Sequence, residues 1–486
     1  MTIPATMPVT LAPLKMPPAT TAPLADDYTL RLCAQLARWR YEYLPAEVVR
    51  TLKFFLIDTL GVIAGAANAP GIRELNQRLS KWESGGAATG LVGKRRYSPP
   101  SAALANGAAA HALDFDDQHD PARVHTNCVV LPTLLATAED ISNMSGGVSG
   151  RDFLLAYAIS TEIHARLGLA CYNSLGKGWH PTMVFGTPAA SLGAASLLKL
   201  DAEGMRNALG MAFHQTSGSA QSMRDGVLSK RFGPGFAARA AVLGAFLAAD
   251  GLTGTRRPLE GNAGLFALYE RDEVKYELIT DRLGSHWRIT EYSFKPYPCC
   301  RCNHTTIGLA IKLRDQGVKP GDVREVEIGM GNVNWLTVGE PYDVRRDSVV
   351  HAQFNAAYSF ARALTDARVD LHSYQKPAIS APAVVGLAAK VRAVDDPAIN
   401  PTAIEPARVT VTLNDGRVIE VKSDTVKGSP PEPMSEDELL AKFRGCLEYG
   451  LGAQRADADR LADTIMTLEN ATDAGAAIVG AFPQAK

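Results

Sequence analysis

The sequence predicts a mainly α protein in which an all-α helical domain is joined to a smaller α+β domain. Three observations carry this expectation. Apolar residues recur at helical spacing from about residue 28 to 254, the pattern turns to strand-like alternation after about residue 282, and helical spacing returns after Ser435. At 486 residues the chain exceeds one ordinary hydrophobic core, so two or three domains are expected, and a hydrophobic content of 46% is enough to fill them.

Residues 1–25 are rich in Pro, Thr and Ala without periodicity and are expected to form a flexible arm. The helical domain is expected over 26–285, with helices over 30–41, 48–67, 102–112, 131–141, 151–167, 184–200, 204–213 and 236–249. Their Ala and Gly content lets helix backbones approach closely. The α+β domain is expected over 286–430. Residues 323–330 alternate as a strand, 408–422 read as two strands around the Asn414-Asp415-Gly416 turn, and 350–364 and 383–393 read as helices between them. The tail, 431–486, is expected to return as helices to the first domain, opened by a capping box in which Glu438 stands three residues after Ser435.

Charge and cysteine usage narrow the partners. A net charge of -1 lacks the basic excess that nucleic acid or an anionic membrane surface requires, which leaves a small molecule as the expected partner. No apolar run reaches the ~18 residues of a spanning helix, and no charged stretch followed by an apolar one opens the chain, so a cytoplasmic location is expected. Seven cysteines at irregular spacing suggest reduced thiols; Cys33, Cys128, Cys171 and Cys446 sit in apolar helical patterns and read as small core residues.

The densest chemistry lies in residues 111–125, His-Ala-Leu-Asp-Phe-Asp-Asp-Gln-His-Asp-Pro-Ala-Arg-Val-His, between two segments that read as buried. Imidazoles and carboxylates packed this closely suit either a metal site or an acid/base constellation. At helical spacing Asp114 shares a face with His111 and with Asp117. Asp116-Asp117-Gln118-His119-Asp120 also matches the Asp-Asp-x-x-Asp pattern that holds magnesium in all-α diphosphate synthases, but no facing second magnesium set is present in the helical region.

Three further segments stand out. His180 lies in Gly178-Trp179-His180-Pro181 before a helix expected near Val184, where it suits carboxylate binding or, more plainly, capping and packing. Lys230 and Arg231 precede Gly233-Pro234-Gly235 and a helix expected from Phe236; two cations there suit an anionic substrate or a solvated helix end. Lys295-Pro296-Tyr297-Pro298-Cys299-Cys300-Arg301-Cys302-Asn303-His304 offers cations and thiols to a pocket, and its Cys-x-Cys-x-His spacing fits no known zinc finger.

Together these segments resemble the MmgE/PrpD family of 2-methylcitrate dehydratases, cis-aconitate decarboxylases and iminodisuccinate epimerases. The resemblance rests on His111-Ala112-Leu113-Asp114-Phe115-Asp116-Asp117, Gly178-Trp179-His180-Pro181, Lys230-Arg231 with Gly235-Phe236-Ala237-Ala238, and Lys295-Pro296-Tyr297-Pro298-Cys299-Cys300 with His304. It implies an all-α domain closed by an α+β lid, a homodimer, no metal or organic cofactor, and a polycarboxylate pocket between the domains. It also implies catalytic roles for Asp114, His125, His180 and Lys230, and substrate contacts from Gln118, Arg231, Lys295, Cys300 and His304. Departures from the family pattern are Gln118 where animal decarboxylases have threonine, Cys300 where a lid histidine is usual, and Gly233 where many members have histidine. The leading expectation is a cofactor-independent lyase eliminating water from a 2-methylcitrate-like di- or tricarboxylate. The alternatives are a cis-aconitate-type decarboxylase, an iminodisuccinate-type epimerase, or a homologue that binds an organic acid without turning it over.

Overall fold

In the computed structural model, which describes residues 27–83 and 85–484, the chain is mainly helical; the arm expected over 1–25 lies outside the described residues. Asp27 opens the first helix, Tyr28–Leu36, by accepting a hydrogen bond from the Leu30 amide at 3.0 Å. That helix stops at Leu36, short of the expected 30–41. The central helices are Ala46–Gly65, Pro99–His111, Asn127–Ser145, Gly150–Ala170, Pro181–Leu197 and Ser229–Ala249. Pro99–His111 is buried along 102–111, so it has no solvent face to pattern.

Small residues let these helices touch. A Cβ on Gly235 would lie 2.4 Å from the Leu104 carbonyl oxygen, and one on Gly107 would lie 2.7 Å from the Gly235 Cα. The Pro99–His111 and Ser229–Ala249 helices therefore cross backbone to backbone, which brings His111 and Lys230 to the same region. This corrects one expectation: the helix begins at Ser229, not Phe236, and Pro234 lies inside it. The Gly233-Pro234-Gly235 run serves close packing and is not a loop. The same helix is long and apolar enough by composition to cross a membrane, although the sequence reading found no such run. In the fold it is packed against Pro99–His111 and Pro181–Leu197, and its apolar character is used in the core.

Four strands form one sheet in the order β4-β3-β5-β6, with β3 Val323–Met330, β4 Val391–Asp395, β5 Ala407–Leu413 and β6 Val418–Ser423. β3 and β5 are antiparallel, as are β5 and β6, and Gly416 makes the hairpin turn at φ +88°. β4 runs parallel to β3 with Val326 opposite Val391. It corrects the helix expected over 383–393, which ends at Ala388: pairing with β3 overrides local helical spacing. The helix expected over 350–364 is likewise divided into Val349–Gln353 and Ala356–Asp366, because Asn355 leaves helical geometry and its side chain caps the Tyr358 amide. The helices His304–Asp315 and Ala356–Asp366 pack together and against this sheet, forming a second apolar core. A short hairpin, β1 Ala88–Gly90 with β2 Arg95–Tyr97, carried no sequence expectation.

The chain then returns. Ser435 and Glu438 make the expected reciprocal cap, and Glu436–Leu451 packs on Ala46–Gly65 so closely that Gly450 faces the Ala64 carbonyl without room for a side chain.

Candidate active site

His111 ends its helix, so the i, i+3 face expected for His111, Asp114 and Asp117 does not form. The chain instead turns, and Asp114 adopts the left-handed region at φ +52°, which a short polar side chain tolerates. Two lysines pin the turn. Lys230 Nζ lies 3.0 Å and Lys295 Nζ 3.1 Å from Asp114 Oδ1, and Lys295 also donates to the Asp114 carbonyl at 2.9 Å. Burial alone would raise the Asp114 carboxyl, but the two ammonium groups hold it well below the ordinary carboxylate range. Its Oδ2 has no hydrogen-bond partner among the described residues.

Three imidazoles gather next to this carboxylate. The rings of His111 and His125 are 4.9 Å apart and those of His111 and His180 6.1 Å apart, both edge to face. Asp116 Oδ2 accepts from His111 Nδ1 at 2.8 Å and lies 3.4 Å from His125 Nδ1, whose closer partner is the Asp117 carbonyl at 2.9 Å. The His125 Nδ1 contact fixes the tautomer: Nδ1 carries the hydrogen and Nε2 is a bare acceptor. Burial holds His125 neutral, outweighing Asp116 and aided by Lys295 and His111. His180 is pushed down to about 3 by burial, with His111 and Lys230 adding to the effect. Behind them Asp117 is pushed up to about 8 by burial and by Asp116 and Asp58, so it is mostly protonated at neutral pH.

Asp114, Gln118, His125, His180, Lys230 and Cys300 line one pocket of about 50 Å³. Lys230 also stands 4.7 Å above the Phe354 ring, which closes that side. His180 reaches the pocket as the residue before the helix Pro181–Leu197, although its side chain makes no cap. Gln118 is held by a two-way backbone bridge to Ser293, and Cys300 by its amide bond to the Gln353 carbonyl.

Three expected site residues stand apart from that lining. Lys295 is fully buried and reaches the pocket only through Asp114. Arg231 lines a different cavity of about 240 Å³. His304 lines a third, its ring held between the Arg301 guanidinium at 3.2 Å and the Cys299 carbonyl at 3.3 Å. Arg301 in turn grips Asp120 on the first motif.

Sequence reasoning passed over Arg123, Leu175, Met223, Cys302, Thr337, Phe354 and Ile404, which with Pro181 complete the pocket. Arg123 and Cys302 lay inside the two motifs, whereas the apolar residues carry no chemical signal. The Cys302 thiol is brought down to about 7 by its hydrogen bond with Cys300 and by Arg123, against its burial. His111 and Asp116, also passed over as site residues, orient the imidazoles. His111, Asp116 and Cys128 present ligand atoms within 4.8 Å of one another. His111 Nδ1 and Asp116 Oδ2 are joined by a hydrogen bond of 2.8 Å, so the three stand as a hydrogen-bonded dyad beside a buried thiol.

Comparison with known proteins follows the same division of the chain. The MmgE/PrpD N-terminal domain matches residues 30–277 and the MmgE/PrpD C-terminal domain matches residues 297–468. A cis-aconitate decarboxylase-like protein, oryM, of Aspergillus oryzae is 29% identical over 464 residues, covering 92% of this chain and 95% of that protein. The cis-aconitate decarboxylase of Aspergillus terreus is 27% identical over 465 residues, covering 92% and 94%. The human cis-aconitate decarboxylase is 29% identical over 417 residues, covering 83% and 84%.

Proposed function

This chain belongs to the MmgE/PrpD family, and on that premise we propose that it is a carboxy-lyase acting on an unsaturated tricarboxylate of the cis-aconitate type. The observation that carries this reading is the meeting of Lys230, His125 and His180 around Asp114 in one enclosed pocket. Similarity to cis-aconitate decarboxylases over most of the chain supports the choice of reaction, and moves the decarboxylase alternative ahead of 2-methylcitrate-type dehydration.

The chemistry asks for charge stabilisation and one proton. In such a substrate a CH2–COO⁻ group is attached to a C=C bond conjugated with a second carboxylate. When its C–C bond breaks, CO2 leaves and the bonding pair forms a new terminal C=C bond. The former double-bond pair moves onto the carbon beside the conjugated carboxylate, as an enediolate. Lys230 has donors left after its bond to Asp114 and holds this developing charge in a site shielded from water. His125 supplies the proton. Its Nε2 carries no hydrogen in the neutral tautomer, but a trianion beside it favours the imidazolium, with Asp116 at 3.4 Å from Nδ1 supporting the charge. Nε2–H then protonates the enediolate carbon. Each turnover consumes one proton and releases one CO2.

The second reading uses the same imidazole in reverse. A neutral His125 with Nε2 bare is suited to abstracting a proton next to a carboxylate, as water elimination or epimerisation requires.

A pocket of about 50 Å³ is far below the several hundred Å³ of an ordinary ligand site, so the substrate enters an opened form. Cys300, Cys302, Thr337, Phe354 and Ile404 come from the expected lid, 286–430, and the titratable groups Asp114, His125, His180 and Lys230 from the helical part. Separation of these two sets is the movement this reading requires. Purified chain given cis-aconitate should release CO2 in step with a five-carbon 2-methylidene dicarboxylate, and should do so after EDTA treatment. Inert cis-aconitate together with dehydration of 2-methylcitrate would reverse the two readings.

A further inference from the structure

Among the described residues three arginines are no more than 2% exposed: Arg166, Arg231 and Arg301. Two of them are satisfied in the way burial of a guanidinium demands. Arg166 binds Glu162 through Nε at 2.6 Å and gives its other nitrogens to the carbonyls of Leu278, Ile279, Asp281 and His286. Arg301 binds Asp120, the His304 ring and the Lys427 carbonyl. Arg231 is different. Its side chain makes one hydrogen bond, from Nη1 to the Pro70 carbonyl at 3.1 Å, its Nε has no acceptor, and no carboxylate pairs with it among the described residues.

The under-satisfied guanidinium faces open space. Arg231 lines the cavity of about 240 Å³ that also meets Leu113, Gln353, Tyr374, Gln375 and Lys376. This cavity is distinct from the reaction pocket, with which it shares no lining residue, and it shares Asn68, Leu371, Gln375 and Tyr449 with a groove of about 720 Å³. It therefore adjoins a larger groove at the surface. The neighbouring wall donors are engaged within the fold, Gln353 Nε2 with the Leu113 and Pro298 carbonyls and Gln375 Nε2 with the Tyr449 hydroxyl, so the Arg231 guanidinium is the group that has donors to offer a small carboxylate.

We propose that this cavity is a second anion site, in which Arg231 takes the carboxylate of a small di- or tricarboxylate by a paired hydrogen bond. The ligand supplies the acceptors that the fold withholds from Arg231 but grants to Arg166 and Arg301. The site does not depend on which reaction the first pocket performs.

Calorimetric titration with tricarballylate, a saturated tricarboxylate that cannot be decarboxylated by the route above, tests it. The unaltered chain should bind two equivalents and Arg231→Met one; Lys230→Ala should lose the other equivalent and keep the Arg231 site. Should Arg231→Met fail to fold, crystals of the unaltered chain soaked in tricarballylate decide, with density expected against the Arg231 guanidinium. A single equivalent in the unaltered chain that Arg231→Met retains, two in Arg231→Met, or density confined to the Lys230 pocket would overturn the proposal. Loss of only the Lys230 equivalent from the unaltered chain would count against the first pocket's reading and leave this one standing.

Discussion

Asp114 is held by two ammonium groups and an unusual backbone angle, and that arrangement decides what its neighbours do. Lys230→Ala should lower kcat/KM by about 10²-fold or more, the loss typical of a principal charge-stabilising donor, measured by CO2 release. His125→Asn should abolish turnover while tricarballylate still binds, because a proton-transfer group acts on the chemical step more than on ground-state affinity. Asp117 gives a separate test through pH. Its folded pKa near 8 lies above the ordinary ~3.9 of an unfolded aspartate, so the folded state binds the extra proton. That contribution is complete below pH ~4 and is lost as pH rises toward 8. Asp117→Asn should thus lose less stability than the unaltered chain between pH 5 and pH 8, as read from thermal unfolding. A parallel fall in both proteins would remove Asp117 from the account. Of the residues singled out in the sequence, Asp114, Gln118, His125, His180, Lys230 and Cys300 meet in the pocket, and each lies in a short run of distinctive chemistry. Arg231 lines another cavity because consecutive helical residues point roughly 100° apart, while Lys230 enters this one.

At the level of elements, the crossing of Pro99–His111 with Ser229–Ala249 sets the distance between the first motif and Lys230. Two glycines on the second helix give a contrast. A Cβ at Gly235 would meet the Leu104 backbone oxygen at 2.4 Å, which cannot yield, whereas one at Gly233 would meet the mobile end of Met183 at 2.5 Å. Gly235→Ala should destabilise the chain by about 1–3 kcal/mol, the usual range for overpacking, and Gly233→Ala should stay within about 1 kcal/mol because helix propensity offsets a thioether shift. Unfolding midpoints check both. The long helices were legible because burial on one stripe leaves a 3.6-residue period. β4 and the break at Asn355 were not, since one depends on pairing with β3 and the other on a single side-chain cap. The division into a helical part and a sheet-bearing part followed from the change in period near residue 282.

In the whole molecule, two apolar cores flank a charged seam. Lys295 and Arg301, on one short segment, hold Asp114 and Asp120, so that segment grips the first motif at two points. Because burial holds the imidazoles of His125 and His180 neutral, binding of a tricarboxylate trianion should take up protons near neutral pH. Titration in buffers of different ionisation enthalpy reads that uptake directly, and an unchanged heat across buffers would contradict it. The central claim is that His125 protonates the carbon left by departing CO2. The most direct measurement is proton NMR of the unaltered chain turning over cis-aconitate in deuterated water. One deuterium per released CO2 should appear in the saturated methylene of the product, and none with His125→Asn. Deuterium-free product, or undiminished labelling by His125→Asn, would contradict the account.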